Sequence, residues 1–147
     1  MENTFKIQFI AEDELFTILP LVYELNKGKI TLSVLEERLK AMIPMGYKCV
    51  GVYDGDNLIG ISGIWILQKL YVGKHIEPDN VYVAPEYRSK GVGKLLIEWI
   101  LNYAKEIECD ASEVNVYIHN EKGVQFWKNQ GYKPLGYHMQ QFLDQKE

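Results

Sequence analysis

The chain has 147 residues, 47% hydrophobic and 24% charged, the composition of a single ordinary globular domain over 1–147 with enough residues to close a real core. Its formal charge is −4, yet Glu86 to Lys94 sets Arg88, Lys90 and Lys94 against Glu86, a local balance of +2 that leaves −6 elsewhere. An acidic body with one basic notch suits a small anion and argues against nucleic acid as a partner.

Cys49 and Cys109 stand 60 positions apart with no second ligand-like residue at metal-site spacing, which favours core packing over a disulfide framework or a metal site. The apolar runs fall far short of a bilayer span, so no membrane partner is expected and a cytoplasmic location is the simplest inference.

In FKIQFI the alternation of Phe5, Ile7 and Phe9 predicts a strand with one buried face. Glu12 to Asn26 reads as a helix carrying Leu15, Ile18, Leu19, Val22 and Leu25 on one side. Pro20 removes a backbone donor and should divide it, and a helix broken there could border a pocket. ITLSVLEERLKAMI predicts a second helix, with Ser33 and Glu36 at capping-box spacing and Leu35, Leu39, Met42 and Ile43 facing inward. Pro44 and Gly46 stop it.

YKCVGVYD and LIGISGIWIL, separated by Asp54-Gly55-Asp56-Asn57, predict a hairpin. Leu70 to Lys74 adds a strand or a loop, and Asp79 to Ala84 another strand closed by Pro85. Lys94 to Ile107 is a helix whose stripe of Leu96, Ile100, Tyr103 and Ile107 should lie on a sheet. Ser112 to His119 alternates like a strand, Asn120 to Gln130 is a short helix ended by Gly131, and Pro134 to Leu143 is a late strand. Helices inserted among mostly antiparallel strands argue for one mixed α/β layer structure.

The most informative stretch is VYVAPEYRSKGVGKLL, Val81 to Leu96. Pro85 ends a strand, and the following helix begins with amides that lack intrahelical acceptors and sit at the positive end of its dipole. Such a terminus attracts phosphate, and Gly91 and Gly93 would let the backbone approach it while Arg88, Lys90 and Lys94 add charge. Taken alone, the glycine spacing favours a tight turn and close helix packing with the basic residues as a solvated rim. A P-loop is excluded, because Gly93-Lys94 is followed by Leu95 and Arg88 occupies the earlier glycine position; the dinucleotide fingerprint lacks its third glycine.

This stretch resembles the central signature of the GNAT acyltransferase superfamily, Arg/Gln-x-x-Gly-x-Gly/Ala after a strand ending in a hydrophobic-x-Pro pattern. A second family element, an Asn followed by an aromatic pair and Gly-Phe/Tyr, resembles Asn120 through Phe126-Trp127 to Gly131-Tyr132. The resemblance implies a mixed, mostly antiparallel central sheet with helices on both faces, and acetyl-CoA as acyl donor. The backbone of Arg88, Ser89, Lys90, Gly91, Val92, Gly93 and Lys94 would cradle its pyrophosphate. The edge of Val81, Tyr82 and Val83 would bond the pantetheine arm as an added strand. Asn120 would bond the same arm or cap its helix, and Trp127 would pack nearby.

Acetyl transfer to an amine needs a base, stabilisation of the developing oxyanion and an outlet for the thiolate. The resemblance places the base at Asp79, with Glu77 as a solvated second candidate, and the oxyanion donor at the Val83 amide. A simple turn at Pro78-Asp79-Asn80 is the competing reading for Asp79. Trp127 stands where many relatives have a Tyr that protonates the thiolate, and an indole cannot be that acid. Tyr132, Tyr137 or unassisted departure of the thiolate would replace it.

Tyr47, Tyr53, Tyr71, Tyr82 and Tyr117 could line an acceptor pocket or serve as ordinary strand aromatics, whereas His75 reads as part of a polar loop. The acceptor would be an amine of a small molecule or peptide, selected by Leu19 to Ile30 with Leu70 to Asp79. A non-catalytic acyl-CoA-binding module is the alternative, and an exposed strand edge is where a homodimer would form.

Overall fold

The computed structural model describes residues 5–144, and its strands form one sheet in the order β1-β2-β3-β4-β5. These are β1 (Lys6–Phe9), β2 (Lys48–Asp54), β3 (Asn57–Lys69), β4 (Gly73–Val83) and β5 (Ala111–Ser112). All neighbours are antiparallel except the β4/β5 pair. The β2–β3 hairpin closes through Gly55 and Asp56, with Gly55 at φ +60°, where a two-residue loop needs a glycine. The chain divides into two compact units, Met1–Val114 and Asn115–Glu147.

In the first unit, Pro20 divides the first helical segment as its chemistry requires. A 3₁₀ stretch over Glu12–Ile18 passes into α1 (Leu19–Leu25), with the proline in the first turn, where its missing donor costs nothing. The second helix, α2 (Leu32–Met42), is capped differently from the sequence expectation. Thr31 is the N-cap, its Oγ1 accepting from the Val34 amide at 3.3 Å, so Ser33 lies inside the first turn and no Ser33–Glu36 box forms. Leu35 and Leu39 are buried as expected, and Gly46 at φ +103° ends the 3₁₀ turn after Pro44.

The two faces of the sheet are covered by different helices. Ile10, Leu15, Ile18 and Leu39 pack with Tyr47, Cys49 and Ile61 on one face. On the other, Phe9 meets Trp99 and Tyr103 of α3 (Val92–Glu106) edge to face, and α3 buries Val92, Leu96, Ile97 and Ile100. A shallow hollow of about 360 Å³ beside the 3₁₀ stretch, lined by Glu12, Leu15, Ile43 and Tyr47 among others, is the pocket that the divided helix borders.

Burial pushes the Cys49 thiol up to about 12, and it raises the less enclosed Cys109 thiol as well. Iodoacetamide should therefore modify Cys109 first in the native protein and Cys49 only on unfolding. Equal native labelling of the two, read by peptide mass, would contradict this packing.

Leu70 to Val72 is the loop of one long β3–β4 hairpin, with Gly73 and Lys74 already in β4 and Pro78 inside β4 opposite Ile64. Ser112 to His119 does not form a strand beyond β5. The alternation of Val114, Val116 and Ile118 specifies side-chain sides, but a strand exists only where a ladder pairs it, and that ladder ends with the Glu113 amide on the Ile76 carbonyl.

In the second unit, Pro134 to Leu143 is irregular for the same reason, with no ladder partner among the described residues. The helix α4 (Glu121–Asn129) forms where the sequence places it. Asn120 caps it by accepting from the Gly123 amide at 3.0 Å, and a Cβ at Gly123 would collide with that Asn120 amide. At its other end the Tyr132 and Gly131 amides return to the Trp127 and Lys128 carbonyls around Gly131 at φ +97°, a Schellman closure.

Candidate active site

The site is built on β4. On one side β4 pairs with β3 along its length, whereas β5 pairs only with His75 and Ile76, so the opposite edge from Glu77 to Val83 has no ladder partner among the described residues. The Ala84 amide donates to the Ile59 carbonyl of β3 at 2.8 Å. Successive groups of an extended strand point to opposite edges, so the Val83 amide and carbonyl face the free side. The Val83 carbonyl is met there by Arg88 Nε at 2.9 Å.

Between Asp79 and Tyr82, β4 spends two residues, Asn80 and Val81, opposite the single Ser62 of β3. This is a bulge, and its first residue has φ +40°, a conformation that asparagine tolerates better than most. The bulge is fixed by its neighbours. Tyr47 Oη donates to Asn80 Oδ1 at 2.9 Å, Trp65 Nε1 donates to Asp79 Oδ2 at 3.1 Å, and the Asn80 amide donates to Asp79 Oδ1 at 2.8 Å.

Burial, with the nearby Cys49, raises the Tyr47 hydroxyl far above its ordinary range, so it remains a proton-bearing donor. Asn80 Nδ2 is buried without a hydrogen-bond partner among the described residues. Asp79 is exposed, and both of its oxygens are oriented by N–H donors. The local hydrogen bond to Asn80 thus belongs to a bulge rather than to a free-standing turn.

Glu77 is not simply solvated. Its Oε2 lies 2.8 Å from Nε2 of His75, which is fully buried in β4 rather than placed in a loop, because its ring lies beneath the strand face shared with Glu77 and is closed over on all sides. Of the two candidate bases, only Asp79 presents an exposed carboxylate.

Beyond Pro85–Tyr87 the chain prepares the start of α3. Ser89 and Gly91 have φ +62° and +78° on either side of Lys90, an alternation of hand that turns successive amides toward one concave side. Gly91 is the N-cap of α3 and supplies no side-chain acceptor, so no side-chain cap occupies the first amides of this 15-residue helix. Its φ explains why glycine stands there. Arg88 is spent on bracing the junction, its guanidinium over the Tyr82 ring at 5.1 Å, and Lys90 lies over Tyr87 at 5.5 Å. Lys94, 3.9 Å from Glu98, is exposed beside the first turn.

Asn120 and Trp127 belong to the second unit. There Asn120 is the helix cap described above, and Trp127 packs edge to face with Phe126 and with Tyr132, each at 5.1 Å between ring centres. Tyr137 is exposed. The sequence reading did not single out Trp65 or the Asn80 bulge. The available signal was the polar pair Asp79-Asn80 directly before the run Val81 to Val83.

A free strand edge, a bulge beside a carboxylate and a helix start without a side-chain cap thus follow one another along β4 and into α3. The model of the Acetyltransferase (GNAT) family matches residues 14–132, and the chain belongs to that family.

Among curated proteins, the thialysine N-epsilon-acetyltransferase of Sus scrofa is 27% identical over 85 residues, 58% of this chain and 50% of that protein. The peptidyl-lysine N-acetyltransferase YjaB of Escherichia coli is 29% identical over 102 residues, 69% of this chain and 60% of that protein. The chain therefore spans about half to three fifths of these relatives.

The fold matches an aminoglycoside N-acetyltransferase AAC(6')-Iy in complex with CoA, with a TM-score of 0.81 at 13% identity over 98% of this chain and 97% of that one. It also matches the glucosamine-6-phosphate N-acetyltransferase of Arabidopsis thaliana, with a TM-score of 0.72 at 19% identity over 96% and 99% of the two chains.

Proposed function

We propose that the protein is an N-acetyltransferase that moves the acetyl group of acetyl-CoA directly onto a primary amine. The observation that carries this reading is the continuity of the free β4 edge, through Val83, with the uncapped start of α3. A pantetheine arm would hydrogen-bond along Val81 and Val83 as an added strand, and a pyrophosphate would take the amides from Ser89 to Lys94. Bound acetyl-CoA supplies an activated thioester.

The chain supplies the rest. The Val83 N–H, held outward by the ladder on its other side, donates to the carbonyl oxygen as negative charge gathers there. Asp79, oriented by Trp65 and by the Asn80 amide, takes the proton from the attacking amine. The thiolate leaves without a tyrosine at position 127, which its ordinary pKa of about 8.5 allows.

The acceptor in this reading is a lysine-like amine, free or in a peptide. The names of both curated relatives support that class, and Asp79 together with the net negative charge suits a cationic chain end. Among the described residues no helix is long and apolar enough to cross a membrane, in keeping with action in the cytoplasm.

Thermal unfolding with acetyl-CoA, CoA, ATP and NAD tests the reading. A ligand at 100 times its dissociation constant stabilises by about 2.7 kcal/mol. Acetyl-CoA and CoA alone are expected to raise the midpoint. No response to either at saturation would overturn the assignment of Ser89 to Lys94 as a cofactor cradle.

A further inference from the structure

A second cluster lies on β4, away from the residues assigned to acetyl transfer. His75 Nε2 is 2.8 Å from Glu77 Oε2 and 3.8 Å from Glu113 Oε1, and the three donor atoms lie within 4.8 Å of one another. The His75 side chain is 0% exposed, whereas Glu77 and Glu113 are 20% and 26% exposed, so the cluster is enclosed on the imidazole side and open on the carboxylate side.

The second imidazole nitrogen, Nδ1, faces the Gly73 carbonyl at 3.4 Å, the arrangement that leaves Nε2 as the ligand nitrogen. Tyr71 Oη donates to Glu113 Oε1, fixing that carboxylate from outside.

An ordinary histidine–carboxylate pair needs one acceptor, because the Nε2–H points in one direction. Here two carboxylates from different parts of the chain converge on the same nitrogen, and a cation placed among them is attracted to all three donors. A metal bonded at about 2.0–2.2 Å in tetrahedral geometry sets its ligand atoms roughly 3.3–3.6 Å apart. The 2.8 and 3.8 Å separations bracket that range.

We propose that His75, Glu77 and Glu113 form a binding site for a divalent metal of the zinc class, with one imidazole, two carboxylates and a fourth position open to water. The site has a structural task. The β4/β5 ladder has only two residue pairs, His75 with Ala111 and Ile76 with Ser112, and Glu113 follows directly after it. A metal held by β4 on one side and Glu113 on the other would clamp this short parallel pair at the point where β4 goes on alone toward the bulge. The proposal does not depend on the acyl-transfer reading.

The test is calorimetric titration of chelator-treated full-length protein with Zn²⁺, paired with thermal unfolding. One Zn²⁺ per chain is expected, with a raised unfolding midpoint, and Mg²⁺ should give no comparable effect because it prefers six oxygen ligands. His75→Gln should abolish both signals. Tyr71→Phe, a change at an exposed side chain that leaves the core untouched, should weaken binding about 10-fold or more.

Absence of saturable binding in the wild type would overturn the site and leave His75 as a buried hydrogen-bonding partner of Glu77. Binding that survives unchanged in a folded His75→Gln variant would assign the metal to the cysteines or the surface, with the same result. Neither outcome bears on CoA binding, so the two proposals fail separately.

Discussion

Asp79→Asn is expected to lower kcat for amine acetylation by about 10²- to 10⁴-fold, the usual contribution of a positioned base, while the dissociation constant for acetyl-CoA stays unchanged. The substitution is informative because the bulge gives the carboxylate two donors, Trp65 Nε1 at 3.1 Å and the Asn80 amide at 2.8 Å. An asparagine keeps the size of the side chain and one acceptor oxygen but cannot take a proton. Steady-state rates with a saturating amine and a separate binding measurement distinguish lost chemistry from lost structure. Near-complete activity in the variant would remove Asp79 from the mechanism.

Gly63→Ala is expected to damage stability and activity together. A Cβ at this position would lie 2.5 Å from Asn80 Oδ1 and 2.5 Å from Tyr47 Oη, the two atoms whose hydrogen bond pins the bulge. Neither partner has free room: Tyr47 is buried in the core, and Asn80 is a backbone-constrained residue at φ +40°. Overpacking of this kind costs about 1–3 kcal/mol, and a displaced Asn80 would carry the adjacent Asp79 out of place. Denaturant unfolding and kcat should fall in parallel. A variant as stable and active as the wild type would mean that the bulge is not held from the side of β2 and β3.

The junction was legible in the sequence because its chemistry is local. Pro85 ends a strand by lacking a donor, and Gly91 supplies the left-handed φ at which α3 begins; both effects act within a few residues of the letters that encode them. The α4 cap and closure, Asn120 and Gly131, were readable for the same reason. Pairing is not local. Past the pairing of Ser112 with Ile76 the alternation up to His119 finds no ladder among the described residues, and neither does Pro134 to Leu143, whereas β4 runs through Pro78 because β3 pairs with it on one side only at that point.

The surroundings of Asp79 were hidden likewise. Tyr47, Gly63 and Asn80 are far apart in the chain, and only the register of three strands brings them together. In the sequence His75 reads as part of a polar loop because its neighbours Lys74 and Glu77 are charged, yet the strand places its ring inside and turns those charges outward or into pairs.

The most direct measurement is release of free CoA thiol from acetyl-CoA in the presence of a panel of amines, including lysine, short lysine peptides and small diamines. The account predicts thiol release that depends on the amine and saturates with it, yielding N-acetylated product. Tight binding of acetyl-CoA without release above the solvent rate for any of these amines would contradict it and leave a protein that binds acyl-CoA without turning it over.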